Sequence, residues 1–456
     1  MAVAGSKAFG SKALLSVACL MVALAGGGDA RAAKKQKDLD ANLPKPVVKI
    51  PLETLGYKGR PTAQLLMART ALLTVDFVDA QHLLFTYEYR RLLKRDEQED
   101  DQGRMVRAEV VDLTTGKITK QDDWRLHDAD AYLWALGGGR FLLREGKVFY
   151  QVDGRTLEMK EFLRSQAPIR RVQAEEGTNL LTLETVREKH TKEEHTKLVE
   201  ESLLSGGPPP AEDYEMYGVD LATGRGLFRE AMGRTGNIEG NETLLLKEEH
   251  VKEKQYLVSA VLLGTAGSKA ASGKDDDTDA AGTRGLMALV SDCKPRLTML
   301  GHDVVMVAAC KDFGEHVFGV RTTDATLLWK HAEGNWPWPD VVRTAKGNRF
   351  AVQCVGLHRG ESLFDSLDEN DMGAGRVQVY DVDTGAEAFS TVLKPLYATM
   401  HAVALSDDGM QLAAVRDGAL EVYDLPAVRT GKDVPAKDQQ GKNKAAAKKD
   451  VAVKTN

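Results

Sequence analysis

The chain reads as an all-β protein: a single seven-bladed β-propeller built of four-stranded antiparallel blades. Three observations predict this. Short strand-like runs recur along the chain with no long helical period. Asp/Gly reversals separate them, as at Asp408-Gly409 and Asp417-Gly418, which suit the positive φ of tight hairpins. And Val379-Tyr-Asp381 returns as Val422-Tyr-Asp424 after about 43 residues, the length of one blade.

The first 32 residues are expected to be an export signal. Lys7 and Lys12 precede an apolar run from Ala13 to Ala25, and Ala30-Arg31-Ala32 has the small-x-small pattern of a cleavage site after Ala32. The run is short for a bilayer span. Cys19 as a lipid-attachment site is disfavoured by Ser16, which stands where leucine is usual. The mature protein is thus expected in the periplasm or outside the cell, without a transmembrane span, as a monomer. A formal charge of −6 argues against a nucleic-acid partner. After cleavage Cys293, Cys310 and Cys354 remain. Their odd number and lack of a CxxC pair argue against a disulfide framework, although a single bridge stays open. Each lies in or beside an apolar run, where cysteine packs as a small hydrophobe.

Residues 33–45 form a polar lead-in, and residues 46–426 the propeller. Pro46–Leu52 is a strand without a local partner, suited to completing the last blade. The first blade takes Leu72–Val78, His82–Tyr87 and Val106–Asp112; the second Ala131–Leu136, Arg140–Arg144 and Lys147–Val152. The third runs from Ile169 to Val186 and resumes at Tyr214–Asp220. A looser fourth uses Thr243–Leu246, Tyr256–Leu263 and Gly285–Val290. The fifth uses Val304–Ala308, His316–Arg321 and Thr326–Trp329. The sixth runs from Asp340 through Gly385, and the seventh spans 401–424 with the N-terminal strand. Seven units fit, and the weak fourth leaves six or eight open. Loops near 187–213, 264–284 and 360–375 are too polar to pack, and the Lys/Ala-rich tail 427–456 is expected to be disordered.

The reversals Asp112…Gly116, Asp220…Gly224 and Asp381…Gly385 share an Asp-x-x-Thr-Gly pattern. With Ser406-Asp-Asp-Gly409 and the Val-Tyr-Asp strand ends, they resemble the WD40/YVTN-like propellers, including the quinoprotein amine dehydrogenase β-chain-like group. The Gly-His…Trp-Asp pairs of true WD40 repeats are missing, with only Gly301-His302 present. The resemblance implies the fold and no particular activity.

Candidate chemistry is sparse. His190 and His195 are five apart, not the four that places two ligands on one helical face. Asp275-Asp-Asp277-Thr-Asp279 lacks the glycine and distal glutamate of a calcium loop, and Asp365, Asp368, Glu369 and Asp371 read equally as a solvated acidic loop. No nucleophile elbow, phosphate-binding loop or HExxH occurs. No catalytic, cofactor or metal residue is therefore assigned. His127, His302, His316, His331, His358 and His401 are scattered, though some are placed to reach a central channel. Trp336-Pro-Trp338-Pro is the most distinctive local signal: two indoles held by prolines can form an aromatic platform, or cap one end of the core. The expectation is a non-enzymatic scaffold for a protein or cell-envelope partner. The alternative is a propeller enzyme with its site at the channel mouth: a lactonase, a lyase or a quinoprotein-like dehydrogenase.

Overall fold

A computed structural model describes residues 45–59, 66, 71–91, 103–127, 131–174, 176–187, 197, 200–201, 213–232, 239–263, 283–311, 314–333, 340–357 and 372–428. The expected export signal, most of the lead-in and tail, most of the three polar loops and the Trp336/Trp338 pair lie outside them.

Seven four-stranded antiparallel sheets form the structure. Blade 1 is β2 (Leu73–Asp79), β3 (His82–Arg91), β4 (Arg104–Asp112) and β5 (Lys117–Leu126). Blade 2 is β6 (Leu133–Gly137), β7 (Arg140–Glu145), β8 (Val148–Asp153) and β9 (Met159–Arg164). Blade 3 is β10 (Ile169–Ala174), β11 (Leu180–Arg187), β12 (Asp213–Asp220) and β13 (Gly226–Met232). Blade 4 is β14 (Glu239–Gly240), β15 (Leu244–Lys252), β16 (Gln255–Leu262) and β17 (Thr283–Val290). Blade 5 is β18 (Arg296–Met299), β19 (Val304–Lys311), β20 (Gly314–Arg321) and β21 (Leu327–Glu333). Blade 6 is β22 (Asp340–Arg343), β23 (Arg349–Leu357), β24 (Met372–Asp381) and β25 (Glu387–Leu393). Blade 7 is β26 (Val403–Leu405), β27 (Gln411–Arg416) and β28 (Ala419–Asp424), with β1 (Val48–Pro51) as its outer strand.

Blade 4, the poorly marked one, is thus a full blade, and the count is seven. Its inner strand is the two-residue Glu239–Gly240, too short to leave a period in the sequence. The strands also run further into the polar loops than the composition suggested: β17 begins at Thr283 and β24 at Met372.

Ring closure follows from the pairing of β1 with β28, in register Val48↔Val422 and Ile50↔Leu420. β1 leads into a 3-10 turn, Leu52–Leu55, ended by Gly56 at φ 76°. Ile50, Leu52 and Leu55 are buried, and Tyr87 donates its hydroxyl to the Leu55 carbonyl at 2.9 Å. Tyr57 meets the Tyr87, Tyr397 and Phe85 rings edge-on at 5.4, 6.0 and 6.2 Å. The N-terminal segment therefore wedges between blades 7 and 1, in the largest apolar cluster. Other clusters lie between neighbouring blades, such as Trp124 with Phe141 across blades 1 and 2, as a sheet buried on both faces requires.

The Asp-x-x-Thr-Gly reversals join the third and fourth strands of their blades. Asp112 Oδ1 accepts the Thr114 and Thr115 amides at 2.7 and 2.9 Å, and its carbonyl accepts the Gly116 amide at 2.8 Å. Asp220 repeats this toward Ala222, Thr223 and Gly224. Two further turns reach the same left-handed fifth position without glycine: Leu157 at φ 59° and Ala325 at φ 59°. In blade 6 the glycine is also sterically required. A Cβ on Gly385 would lie 2.6 Å from the Trp329 ring, whose Nε1–H donates to the Val382 carbonyl at 2.7 Å.

Cys293 and Cys310 form a disulfide, which the cysteine count left open. It ties the segment entering blade 5 to the far end of β19, and closing a loop of this size is worth on the order of 3 kcal/mol. Cys354 is a buried thiol.

Glu109 on β4 is buried, and burial pushes its carboxyl up to about 7, opposed by the Arg107 charge and the Tyr87 hydroxyl. A carboxyl raised in the folded state contributes stability below its unfolded value of 4.5 and loses it as pH climbs through about 7. Glu109→Gln is expected to raise unfolding stability by about 1–2 kcal/mol at pH 8 and by little at pH 4.5. Denaturant titrations at the two pH values check this; an equal shift at both would contradict it.

Candidate functional site

The inner strands of all seven blades enclose a central channel. Contacts join β26 to β2, β2 to β6, β6 to β10, β14 to β18 and β22 to β26. A cavity of about 420 Å³ lies inside, walled by residues of every inner strand and of the segment entering β26. Polar side chains of the inner strands line it: Asp76 in β2, Arg171 and Gln173 in β10, Arg296 in β18, Asp340 in β22.

The ladders fix their heights. Asp76↔Leu84, Trp134↔Leu142, Gln173↔Thr182, Glu239↔Leu246 and Thr298↔Met306 place five residues on one tier, each opposite the third residue of its second strand. Arg171↔Glu184, Arg296↔Ala308 and Asp340↔Gln353 place three more on the next tier, two residues nearer the start of the inner strands.

Several channel carboxyls are held by the protein itself. Glu239 accepts the Gln173 side-chain amide and the Met299 amide (3.4 Å), with Arg343 Nη2 3.6 Å away. Burial pushes Glu239 up to about 7, against those hydrogen bonds and the Arg171 charge. Arg343 donates Nε–H to the Met299 carbonyl, and its own burial pushes its pKa down. Asp340 Oδ2 accepts the His401 amide at 2.8 Å, and the His401 carbonyl accepts the Val75 amide at 3.1 Å. These contacts hold His401 at φ 57°, a conformation unusual for a residue with a Cβ. Deep placement raises Asp76 well above the usual carboxylate range, opposed by the Thr74 hydroxyl and reinforced by Asp340. At the opposite mouth burial raises Glu176, helped by the neighbouring Asp407 carboxylate, whose Oδ2 also accepts the Gly138 amide at 2.9 Å.

The residues singled out in the sequence fare unevenly. Trp336 and Trp338 belong to the segment between β21 and β22 and lie outside the described residues, as do His190, His195, His358 and both acidic loops. Of the described histidines, His401 alone lines the cavity. His331 Nε2 pairs with the Gly385 carbonyl (2.7 Å), His302 lies 3.6 Å from Glu242, and His127 lies 4.0 Å from Glu145. Asp76, Arg171, Arg296 and Asp340 were not anticipated. Their signal is a charge in the first strand of a blade, and only Asp76 lies inside a largely apolar run. Among the described residues no group of three or more His, Cys, Asp or Glu is placed to hold a metal ion, and no helix is long and apolar enough to cross a membrane.

No family model and no curated protein matches the chain. Solved propeller structures do. The C-terminal WD40 domain of Sif2 is 11% identical, covers 84% of this chain and 99% of its own, and superposes with a TM-score of 0.39. TolB from Acinetobacter baumannii is 13% identical over 72% of this chain and 77% of its own, with a TM-score of 0.34. The acylaminoacyl peptidase of Pyrococcus horikoshii is 10% identical over 79% of this chain and 52% of its own, with a TM-score of 0.42. At these identities and TM-scores the likeness concerns the fold alone; that the chain is a seven-bladed propeller rests on its own seven four-stranded sheets.

Proposed function

We propose that this protein is an exported, monomeric interaction scaffold that binds a protein or cell-envelope partner without chemical turnover. One observation carries the reading: two of the channel carboxyls, Glu239 and Asp340, are engaged in holding the ring together. Glu239 is tied to blades 3, 5 and 6 through Gln173, Met299 and Arg343, and Asp340 is tied to the backbone of His401. Groups fixed in this way stiffen a scaffold; a general acid or base needs a free path to its proton. Export is supported by the apolar N-terminal run with its Ala-Arg-Ala site, and by the Cys293–Cys310 disulfide, which suits an oxidising compartment.

Pull-down from a cell-envelope fraction, with the mature chain and with a Trp336→Ala/Trp338→Ala variant, tests this. A specific partner retained by the first and lost by the second supports the scaffold and its aromatic contact surface. The same partner on both removes the tryptophans, and no specific partner on either removes the scaffold. A second reading rests on Asp76, which lines the cavity and whose carboxyl is raised by burial above the usual carboxylate range, as suits a general acid for lactone opening or elimination. Turnover of a lactone panel that is abolished in Asp76→Asn would favour it.

A further inference from the structure

The turn between β22 and β23 reaches across the ring. A Cβ on Gly137, at the end of the inner strand of blade 2, would lie 2.9 Å from the Ala345 Cβ. One on Gly177, in the first turn of blade 3, would lie 2.8 Å from the Ala345 carbonyl oxygen. Only glycine allows backbones this close, and both residues sit at positive φ, 79° and 77°. Blades 2 and 3 stand opposite blade 6 in a ring of seven, so residues 344–347 span the channel instead of lining it. The same turn meets its two neighbours. A Cβ on either Gly347 or Gly301 of blade 5 would come within 3.2 Å of the other's Cα, and the Lys346 amide donates to the Asp407 carbonyl of blade 7 at 3.3 Å. Contacts to blades 2, 3, 5 and 7 thus converge on one turn, at the mouth where the inner strands end.

We propose that this turn is the floor of the cavity and the Glu176–Asp407 pair its latch, which holds the floor shut while the two carboxyls share a proton and releases it once both are charged. Glu176 lines the cavity beside Gly137, and its carboxyl hydrogen-bonds that of Asp407. The two are tied to opposite sides of the turn. Asp407 reaches it through the Lys346 amide and blade 2 through the Gly138 amide, at 2.9 Å. Glu176 is followed by Gly177, which packs on the Thr344 and Ala345 carbonyls. Two carboxyls in contact cannot both ionise cheaply, so charging the second drives these partners apart. The other charges nearby do not relieve the pair. Asp76 adds to the repulsion on Glu176, and Lys346 acts on Asp408, which the Ser406 hydroxyl and the Met410 amide already hold. A carboxyl raised in the closed state favours closure below its ordinary value of 4.5 and ceases to do so as pH climbs through the raised one. While the latch holds, a ligand of the cavity passes only through the other mouth. This goes beyond the scaffold reading and does not depend on it, since it is read on the purified protein without a partner.

Hydrogen exchange of the mature chain tests the latch at the Gly138 and Lys346 amides, read as protection relative to the unstructured rate at each pH. Both are expected to lose protection tenfold or more between pH 5 and pH 9, while amides of the β1–β28 ladder keep theirs. Glu176→Gln still donates a hydrogen bond but cannot ionise, so it should retain the protection across the range. No loss in the parent chain, or an equal loss in Glu176→Gln, would overturn the latch. The floor is tested by Gly137→Cys with Ala345→Cys, oxidised and mapped. A disulfide joining blades 2 and 6 within one chain is expected, and a folded variant with both thiols free would overturn the floor. Should that variant not fold, exchange in the parent chain and in Glu176→Gln decides.

Discussion

Arg349→Met is expected to destabilise the fold by about 3–5 kcal/mol. Arg349 opens β23 and is wholly buried, as is Asp381 at the end of β24. Its Nε–H donates to Asp381 Oδ1 at 2.9 Å, Nη1 to the Gly409 carbonyl at 2.6 Å, and Nη2 to the Pro426 carbonyl. One side chain thus ties blade 6 to the first turn of blade 7 and to the chain leaving β28. Methionine conserves most of the volume, so the expected loss comes from Asp381, which keeps a buried charge without its cation. Adding Asp381→Asn removes that charge, and the double variant should recover at least half of the loss. Denaturant unfolding measures both. A double variant no more stable than the single one would show that packing, not the ion pair, matters here.

Deleting residues 46–58 should do more damage still. The deletion takes away β1 and the 3-10 turn, and with them Ile50, Leu52, Leu55 and Tyr57, all buried. At about 1.5–3 kcal/mol for each buried apolar side chain, the loss rivals the whole stability of an ordinary domain. It also bares the edge of β28, whose Leu420 and Val422 are fully buried in the intact protein, and such an edge invites pairing between chains. The deleted chain is expected to elute from gel filtration as aggregate. A soluble monomer with an unchanged melting temperature would mean that the ring closes without its N-terminal strand.

Much of the architecture was legible because it repeats. Val-Tyr-Asp at 379–381 and 422–424 marks equivalent third-strand ends, and three Asp-x-x-Thr-Gly turns mark equivalent reversals. An unpartnered Pro46–Leu52 pointed to closure. Where the pattern failed, the physics lies outside local sequence. Leu157 and Ala325 take the left-handed place of glycine because the surrounding ladder holds the turn, and blade 4 was faint because its inner strand is two residues long. The channel was harder to read. Asp76, Arg171, Arg296 and Asp340 are far apart in sequence, and only the ring order and the ladder registers bring them to adjacent tiers. Arg349 carried no signal, since a strand-leading arginine is ordinarily solvated.

Every functional reading requires that β1 lie antiparallel to β28, so that seven inner strands enclose one cavity. Cysteines at positions 48 and 422, a cross-strand pair in that register, test this directly by oxidation and peptide mapping. The expected result is a disulfide linking the two peptides within a monomer that keeps the parent melting temperature or exceeds it. Two unoxidised thiols, or a bond only between chains, would contradict the closed ring.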